Sequence, residues 1–301
     1  DLLKFKESKE EIAVIPGRSS YQLITLDEKE KIENVDIVFP VLHGPFGEDG
    51  TVQGLLRLAN LPFVGAGVAG SAVGMDKDVM KRLLRDANIP IADYMVYNSK
   101  NVVDFLEVEQ RLGLPVFIKP ANLGSSVGVK KASNEDEFYQ AVNYAFQFDR
   151  KIIIEEFIEG REIECSVLGN KNPTASIPGE IQPEDDFYSY EAKYIDENGA
   201  VLNIPANLEE NLAQKVQNLA EKTFKVLCCE GMARVDFFIN DEKTVLVNEI
   251  NTIPGFTRIS MYPKLWEETG ISYTDLIDKL IELAIQRYEE EKKLKTSIEL
   301  N

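Results

Sequence analysis

The sequence predicts a mixed α/β protein in which a front segment with a parallel sheet is followed by two α+β lobes. Three observations lead to this reading. Short apolar runs alternate with stretches of helical periodicity from residue 35 onward, as βα units do. Two apolar runs, at 232–239 and 244–250, flank the turn Asn240-Asp241-Glu242-Lys243, which reads as a hairpin. A length of 301 residues holds two or three domains at roughly 100–200 residues each. With 44% hydrophobic and 28% charged residues, the chain is neither disordered nor collagen-like.

The front unit, 1–74, has a buried-strand run at 35–42 that ends on His43-Gly44-Pro45. A helix over 51–60 follows, with Val52, Leu55, Leu56 and Ala59 on one face, and then an apolar run at 62–64. This alternation predicts a parallel sheet. Residues 1–30 match no opening strand with a glycine-rich turn, so the unit reads as an incomplete Rossmann-like domain. The central unit, 75–155, reads as a helix carrying Val79, Leu83, Leu84 and Ala87, a strand at 94–97, a helix at 102–112 and a strand at 116–119. A glycine-rich loop then leads into a strand at 127–130, a helix with Phe138, Ala141, Val142, Ala145 and Phe146 in one stripe, and a strand at 152–157. Ser133 with Asp136 resembles a capping box for that helix. The last unit, 156–301, reads as strands at 161–169 and 174–180, a polar loop at 183–200, an amphipathic helix at 207–227, the hairpin, and two C-terminal helices.

Subtracting 51 acidic from 33 basic residues gives a net charge of −18, a field that repels nucleic acid and anionic membrane surfaces. No apolar run approaches the roughly 18 residues of a membrane span, and the start DLLKFKESKEE lacks the apolar core of a signal peptide. A cytoplasmic protein is expected. His43 is the only histidine, which excludes HExxH chemistry and histidine-rich zinc sites and leaves oxygen ligands for any metal. Cys165, Cys228 and Cys229 form no regular framework and are expected to sit reduced and buried.

Four constellations carry chemistry. In the first, Lys119 precedes PANLGSSVG at 120–128. Small residues at a strand-to-strand turn let backbone N–H groups face phosphate oxygens while the lysine supplies a point charge. Neither GxxxxGK[ST] nor GxGxxG occurs, and alone the segment reads equally well as a glycine hairpin with no ligand. In the second, strand alternation puts Arg234 with Asp236 on one face and Glu249 with Asn251 on the facing strand. Two carboxylates and an amide suit Mg²⁺ or Mn²⁺ held together with a nucleotide; the competing reading is a solvated face with Arg234 paired to Asp236 or Glu249. The sequel NTIPGFT places Gly255 where its N–H can face a developing oxyanion. The third is the loop FYSYEAKY at 187–194, a substrate lid or a satellite hydrophobic cluster. The fourth, HGPFGEDG, sets His43 at the carboxyl end of a strand, where open α/β sheets bind ligands; a merely hydrogen-bonding histidine is the alternative.

Taken in order, HGPFGEDG, MDKDVMKRLLRDANIP, FIKPANLGSSVGV, EGREIECSVLG, EAKY, ARVDFF and NEINTIPGFT resemble the D-alanine–D-alanine ligases of the ATP-grasp superfamily, from about residue 35 to about 290. The resemblance implies two ATP-grasp lobes behind the front domain, and ATP-dependent synthesis of D-alanyl-D-alanine for peptidoglycan through an acyl phosphate. It implies that Lys77, Lys119 and the backbone at Ser125 and Ser126 grip the ATP phosphates. Glu155 and the main chain at Phe157 and Ile158 would read adenine, and Glu162 the ribose. Asp236, Glu249 and Asn251 would hold two Mg²⁺ or Mn²⁺ ions. Arg234 and the Gly255 N–H would form the oxyanion site, with Lys193 adding positive charge. His43, Ser125, Tyr194 and Ser260 would orient two D-alanines. A homodimer formed mainly through the first domain is implied as well. The family's opening strand carries a glutamate for the first substrate's ammonium group, and no such segment is found in this sequence, so that subsite is expected to be incomplete. The alternatives are a D-alanyl-D-lactate or D-alanyl-D-serine ligase, the tyrosine at 194 favouring a dipeptide over the lactate depsipeptide by the same resemblance, and a catalytically silent nucleotide-binding module.

Overall fold

Val38 and Phe63 form an isolated parallel bridge, and around it the front segment of the computed structural model is organised. The structure describes residues 11–18, 20–26, 34–183, 200–257 and 259–295. The strand expected at 35–42 contracts to that bridge, with Val38 N–H on Pro62 O and Val64 N–H on Val38 O. A parallel strand needs cover on both faces, and the run's end lacks it, since Val41 is 62% exposed and Leu42 is exposed too. The described sheet here is an antiparallel pair instead, β1 (Ile12–Val14) with β2 (Leu23–Thr25). Helix α1 (Thr51–Leu58) buries Leu56 against Ala59, Leu61 and Phe63. Helix α2 (Val68–Met75) is made of small residues because it lies against backbone: a Cβ on Gly70 would stand 2.6 Å from the Cys228 carbonyl oxygen.

Next come α3 (Lys77–Asp86), β3 (Tyr94–Asn98), α4 (Phe105–Leu112), β4 (Val116–Pro120), β5 (Lys130–Ala132), α5 (Glu135–Ala145) and β6 (Lys151–Glu156). The four strands form an antiparallel sheet in the order β3-β6-β4-β5. Val116, Ile118, Ile152 and Ile154 are fully buried in it, packed against Phe105, Val108, Phe138 and Ala141 of the two helices. Stiff β-branched side chains fit a pleated surface covered by helices. The cap of α5 differs from the expected Ser133/Asp136 pair. Asn134 is the N-cap, its Oδ1 accepting from Glu137 N–H at 3.0 Å, and Glu137 Oε2 accepts from Ser133 N–H at 2.8 Å. The box is displaced by one residue because Asn134 is the last extended position before the helix, and its amide oxygen reaches the third helical N–H.

The remaining strands are β7 (Arg161–Gly169), β8 (Thr174–Ala175), β9 (Gly179–Pro183), β10 (Ala200–Asn203), β11 (Gly231–Ile239) and β12 (Val245–Asn251). They make a second sheet in the order β10-β9-β7-β11-β12, with β8 on β7. The strand read at 174–180 is thus two, parted at Ile177 and Pro178, and β9 pairs with β7 only from Gly179 on. Helix α6 (Glu210–Val226) covers this sheet, and α7 (Met261–Glu268) and α8 (Tyr273–Lys292) complete the chain. Val216, Ala220 and Phe224 of α6 share one core with Ile163, Val167, Val235 and Val247, and Met80 and Leu84 of α3 enter it too. Helix α8 reaches back to the front, where Arg287 donates to the Phe63 carbonyl at 2.7 Å and to the Gly65 carbonyl, its guanidinium 4.5 Å from the Phe63 ring.

Cys165 and Cys229 are buried thiols, but Cys228 is exposed, against expectation. It follows the last turn of α6 with φ 56°, which turns it outward. No described helix is long and apolar enough to cross a membrane. Phe224 lies at the centre of the largest core with no exposed surface, so Phe224→Ala is expected to cost about 3–5 kcal/mol, read as a lowered midpoint in chemical denaturation.

Candidate active site

The two sheets face a cleft of about 430 Å³. Lys77, Lys119, Ser125, Ser126, Glu155, Phe157, Ile158, Glu162 and Glu249 all line it, so most residues read from the sequence as nucleotide ligands share one space. A smaller niche, bounded by Lys77, Gly124 and Glu249 of the same cleft, adds Glu48 and Asn251.

The cationic side is built at the start of α3. Asp76 caps that helix, its Oδ1 accepting from Asp78 N–H and Val79 N–H, and Lys151 of β6 holds the same carboxylate at 2.6 Å. Lys77 follows directly, its N–H on Ala121 O and its ammonium on Leu123 O at 2.6 Å, 3.5 Å from Glu249. The turn at 124–129 contains Ser125 and Ser126 at φ 55° and 59°, left-handed conformations that cost an L-residue about 1–2 kcal/mol each and persist where the surroundings impose them. Gly128, at φ 76°, is required: a Cβ there would meet Pro120 Cγ at 2.6 Å. The expected strand at 127–130 therefore starts later, as β5 at Lys130.

The acidic side is the β11–β12 hairpin. Arg234 stands opposite Asn251 and Asp236 opposite Glu249, with a bulge between Asp236 and Phe237. Across the other edge of β11, Asp236 faces Glu164 and Phe238 faces Glu162 of β7. Carboxylates from three neighbouring strands thus form a row, with Arg234 lodged in it. The Arg234 guanidinium donates to both Asp236 oxygens at 2.7 and 2.9 Å, and its Nε lies 3.0 Å from Glu164. Burial lowers the tendency of Arg234 to hold its proton, but Asp236, Glu164 and Glu249 outweigh it and push its pKa well up. The pairing proposed as a plain alternative is therefore present, but in a mostly buried site rather than a solvated one.

Among the described residues, no three His, Cys, Asp or Glu residues gather as a metal cluster. The donor set is two carboxylates and one amide. Asn251 donates its Nδ2 to Asp236 Oδ2 at 2.9 Å, which leaves the amide oxygen as the atom for a cation. Hard oxygen donors that need phosphate oxygens to complete them suit Mg²⁺ or Mn²⁺, so the residues fit that ion.

Glu155 on β6 closes the cleft between two ammonium groups, Lys81 at 2.8 Å and Lys119. Burial alone would raise its pKa; Lys119 and Lys81 reverse this and bring it down to about 2 from 4.5. Lys119 shifts upward, burial opposing and Glu155 prevailing. Glu48, which the sequence reading passed over, accepts from Gly44 N–H at 2.6 Å. Burial raises its pKa against the pull of Gly44, His43, Ile253 and Arg234, so this carboxyl links the His43 loop to the Arg234 array. The GEDG run was the available signal. Glu164 was signalled by Glu162 and Glu164 at alternate positions of β7, and Lys81 by its place one turn after Lys77 on the same face of α3.

Other candidates do not line the cleft or its niche, Arg234 and Asp236 among them. His43 is exposed on its loop. Gly255 and Ser260 close on each other: a Cβ at Gly255 would lie 2.8 Å from Ser260 Oγ, which accepts from Thr257 N–H at 3.0 Å. Lys193, Tyr194 and the rest of the expected lid lie outside the described residues.

Two family models cover this architecture: the D-ala D-ala ligase N-terminus over residues 3–66 and the D-ala D-ala ligase C-terminus over residues 83–282. The chain belongs to the D-alanine–D-alanine ligase family. It is 56% identical over 298 residues to the D-alanine–D-alanine ligase of Oceanobacillus iheyensis, an alignment covering 98% of this chain and 81% of that one. Identity to D-alanine–D-alanine ligase A of Escherichia coli K12 is 51%, covering 98% and 82%. Among solved structures, the Coxiella burnetii D-alanine–D-alanine ligase superposes with a TM-score of 0.84 at 42% identity, covering 94% of this chain and 76% of that one. The Bacillus anthracis ligase complexed with ATP gives 0.74 at 31%, covering 85% and 81%. VanG D-Ala:D-Ser ligase of Enterococcus faecalis gives 0.81 at 36%, covering 91% and 79%. The fold is that of the ATP-grasp ligases.

Because the folded-state pKa of Glu155 is depressed, its ion pairs stabilise this ligase fully above about pH 4.5 and are lost as pH falls toward about 2. Glu155→Gln is expected to lower stability near neutral pH and to flatten the loss between these two values, measured by denaturant midpoints along a pH series.

Proposed function

We propose that this ligase joins two D-alanine molecules into D-alanyl-D-alanine with ATP cleaved to ADP and phosphate, as a step toward peptidoglycan. The observation that carries the reading is the convergence of Lys77, Lys119 and the 124–129 turn with the Glu249–Asn251 edge around one cleft. That is an arrangement for a polyanion and its counter-ions.

A carboxylate is a poor acyl donor because its leaving group is oxide. Its oxygen attacks the γ-phosphorus, the bond to ADP breaks, and the resulting acyl phosphate can expel phosphate. The amine of the second amino acid then adds to the carbonyl carbon, loses a proton, and the C–O bond to phosphate breaks. Lys77, Lys119 and the backbone at Ser125 and Ser126 neutralise and orient the phosphates. Phe157 and Ile158 offer main-chain groups and Glu155 a carboxylate to the base, with Glu162 toward the ribose. Arg234, Lys193 and the Gly255 N–H oppose charge building on the phosphoryl and carbonyl oxygens. His43, Ser125, Tyr194 and Ser260 orient the amino acids, and the 187–194 segment keeps water from the acyl phosphate. Asp236, Glu249 and Asn251 would hold two Mg²⁺ or Mn²⁺ ions, which supply Lewis-acid charge to the phosphoryl oxygens when bound. We place the reaction in the cytoplasm and the ligase in a homodimer; the apolar Val41, Leu42, Phe46, Leu55 and Leu58 left exposed in the front segment support assembly there.

Phosphate release from ATP and Mg²⁺ is expected to rise with D-alanine and not with L-alanine, and ATP binding without D-alanine-stimulated turnover would establish the silent module instead. Asp236→Ala is expected to abolish turnover through metal loss; a near-normal Mg²⁺ titration in that variant removes the residue from the ligand set. The Enterococcus ligase's D-serine product makes the acceptor worth testing directly: Tyr194→His is expected to raise the lactate-to-alanine product ratio, and an unchanged ratio refutes the role of Tyr194 in specificity.

A further inference from the structure

Lys81 is the most deeply buried charged side chain among the described residues, at 1% exposed, and no role above uses it. An ammonium group taken fully out of water costs several kcal/mol unless an opposite charge meets it. The charge that meets it is Glu155, at 2.8 Å. The Tyr94 ring, on the strand beside Glu155, lies 5.7 Å away.

Glu155 is shared. One of its oxygens faces Lys81 and the other takes the Lys119 ammonium. The two lysines differ in their freedom. Lys81 is locked inside, on the α3 face that also carries Met80 and Leu84 into the core, whereas Lys119 lines the open cleft. A lysine that is to grip phosphate must give up part of its contact with Glu155. With no second cation, that carboxylate would be stranded in a nearly dry site, and the stranded charge would draw Lys119 back.

We infer that Lys81 is a positioning residue for nucleotide binding, a fixed counter-charge that holds Glu155 ionised and in place while Lys119 turns from it to the phosphates. This deepens the ATP reading of the cleft and rests on it. The Glu155 oxygen that Lys119 leaves is then the acceptor for the base, and the cleft gains a cation when nucleotide arrives without leaving the carboxylate uncompensated.

The test is a double-mutant cycle on the full chain: ATP dissociation constants by calorimetry, and KM for ATP and for D-alanine with kcat, for the parent, Lys81→Met, Glu155→Gln and the double variant. Lys81→Met is expected to weaken ATP binding about tenfold, equivalent to ~1.4 kcal/mol, while KM for D-alanine stays within twofold. In the Glu155→Gln background the same substitution is expected to change the ATP constant less than twofold, because no carboxylate charge remains to be held. Unaltered ATP binding in Lys81→Met, or an equal loss in both backgrounds, overturns the inference and leaves Lys81 a structural ion pair. If Lys81→Met fails to fold, Glu155→Gln against the double variant decides alone, since both are free of the Glu155 charge: equal ATP constants support the inference and a further several-fold loss overturns it. A parent chain that binds no ATP would instead refute the nucleotide reading itself.

Discussion

A charge can be kept away from water only beside its opposite, and the whole site is arranged under that constraint. Lys81, Glu155 and Lys119 alternate in sign across α3, β6 and β4; Glu164, Arg234 and Asp236 alternate across β7 and β11; Lys77 and Glu249 join the two groups. Glu155 and Lys119 of the first array stand at the wall of the cleft, and Glu249 and Asn251 of β12, opposite Asp236 and Arg234, stand at its other side. The fold can therefore hold ready a set of cations and anions whose separate burial would unfold it, and a polyanion with its metals can exchange into that set.

What positions these arrays is strand alternation. On β7, β11 and β12 one face is filled by Ile163, Val167, Val235 and Val247 under α6, so Glu162, Glu164, Arg234 and Asp236 are turned to the other side, where Glu249 and Asn251 join them and Leu168 and Met232 end the polar stretch in a separate core. The smaller sheet does the same with Phe117, Lys119 and Glu155. Helix α3 belongs to both arrangements. It buries Met80 and Leu84 with the larger sheet while its first turn is tied to the loop after β4 and to Lys151 of β6. Lys77 and Lys81 are thereby carried between the two sheets on one rigid rod.

Much of this was legible because it depends on local pattern. The hairpin with Arg234, Asp236, Glu249 and Asn251 follows from period-two alternation and a short polar turn, and the register bears it out. The phosphate-side loop follows from small residues between two strands. In the front segment the parallel pairing of the 35–42 run with the 62–64 run was legible but its length was not: Val35, Ile37, Val38 and Phe39 make an apolar run of strand type, yet a run becomes a strand only where a neighbour pairs with it, and here the described pairing is the single Val38 to Phe63 bridge. Glu48, Glu164 and Lys81 were overlooked for another reason. Glu164 and Lys81 pair with Arg234 and Glu155 far along the chain, and Glu48 faces Arg234 as well as its neighbour Gly44; spacing or an acidic run can point to such a residue, but carries no mark of burial until the fold supplies its counterpart. Cys228 escaped for want of any local sign of its left-handed backbone.

Arg287 gives the chain a peculiar order of events. Its guanidinium is the donor for carbonyls 222 and 224 positions earlier. At about 5–20 residues per second of synthesis, those carbonyls wait on the order of ten to forty seconds before their donor has even been made. The stretch around Phe63 and Gly65 is thus fastened by a residue made long after it, and a nascent chain must carry that stretch unlatched while the strands of both sheets are still being added.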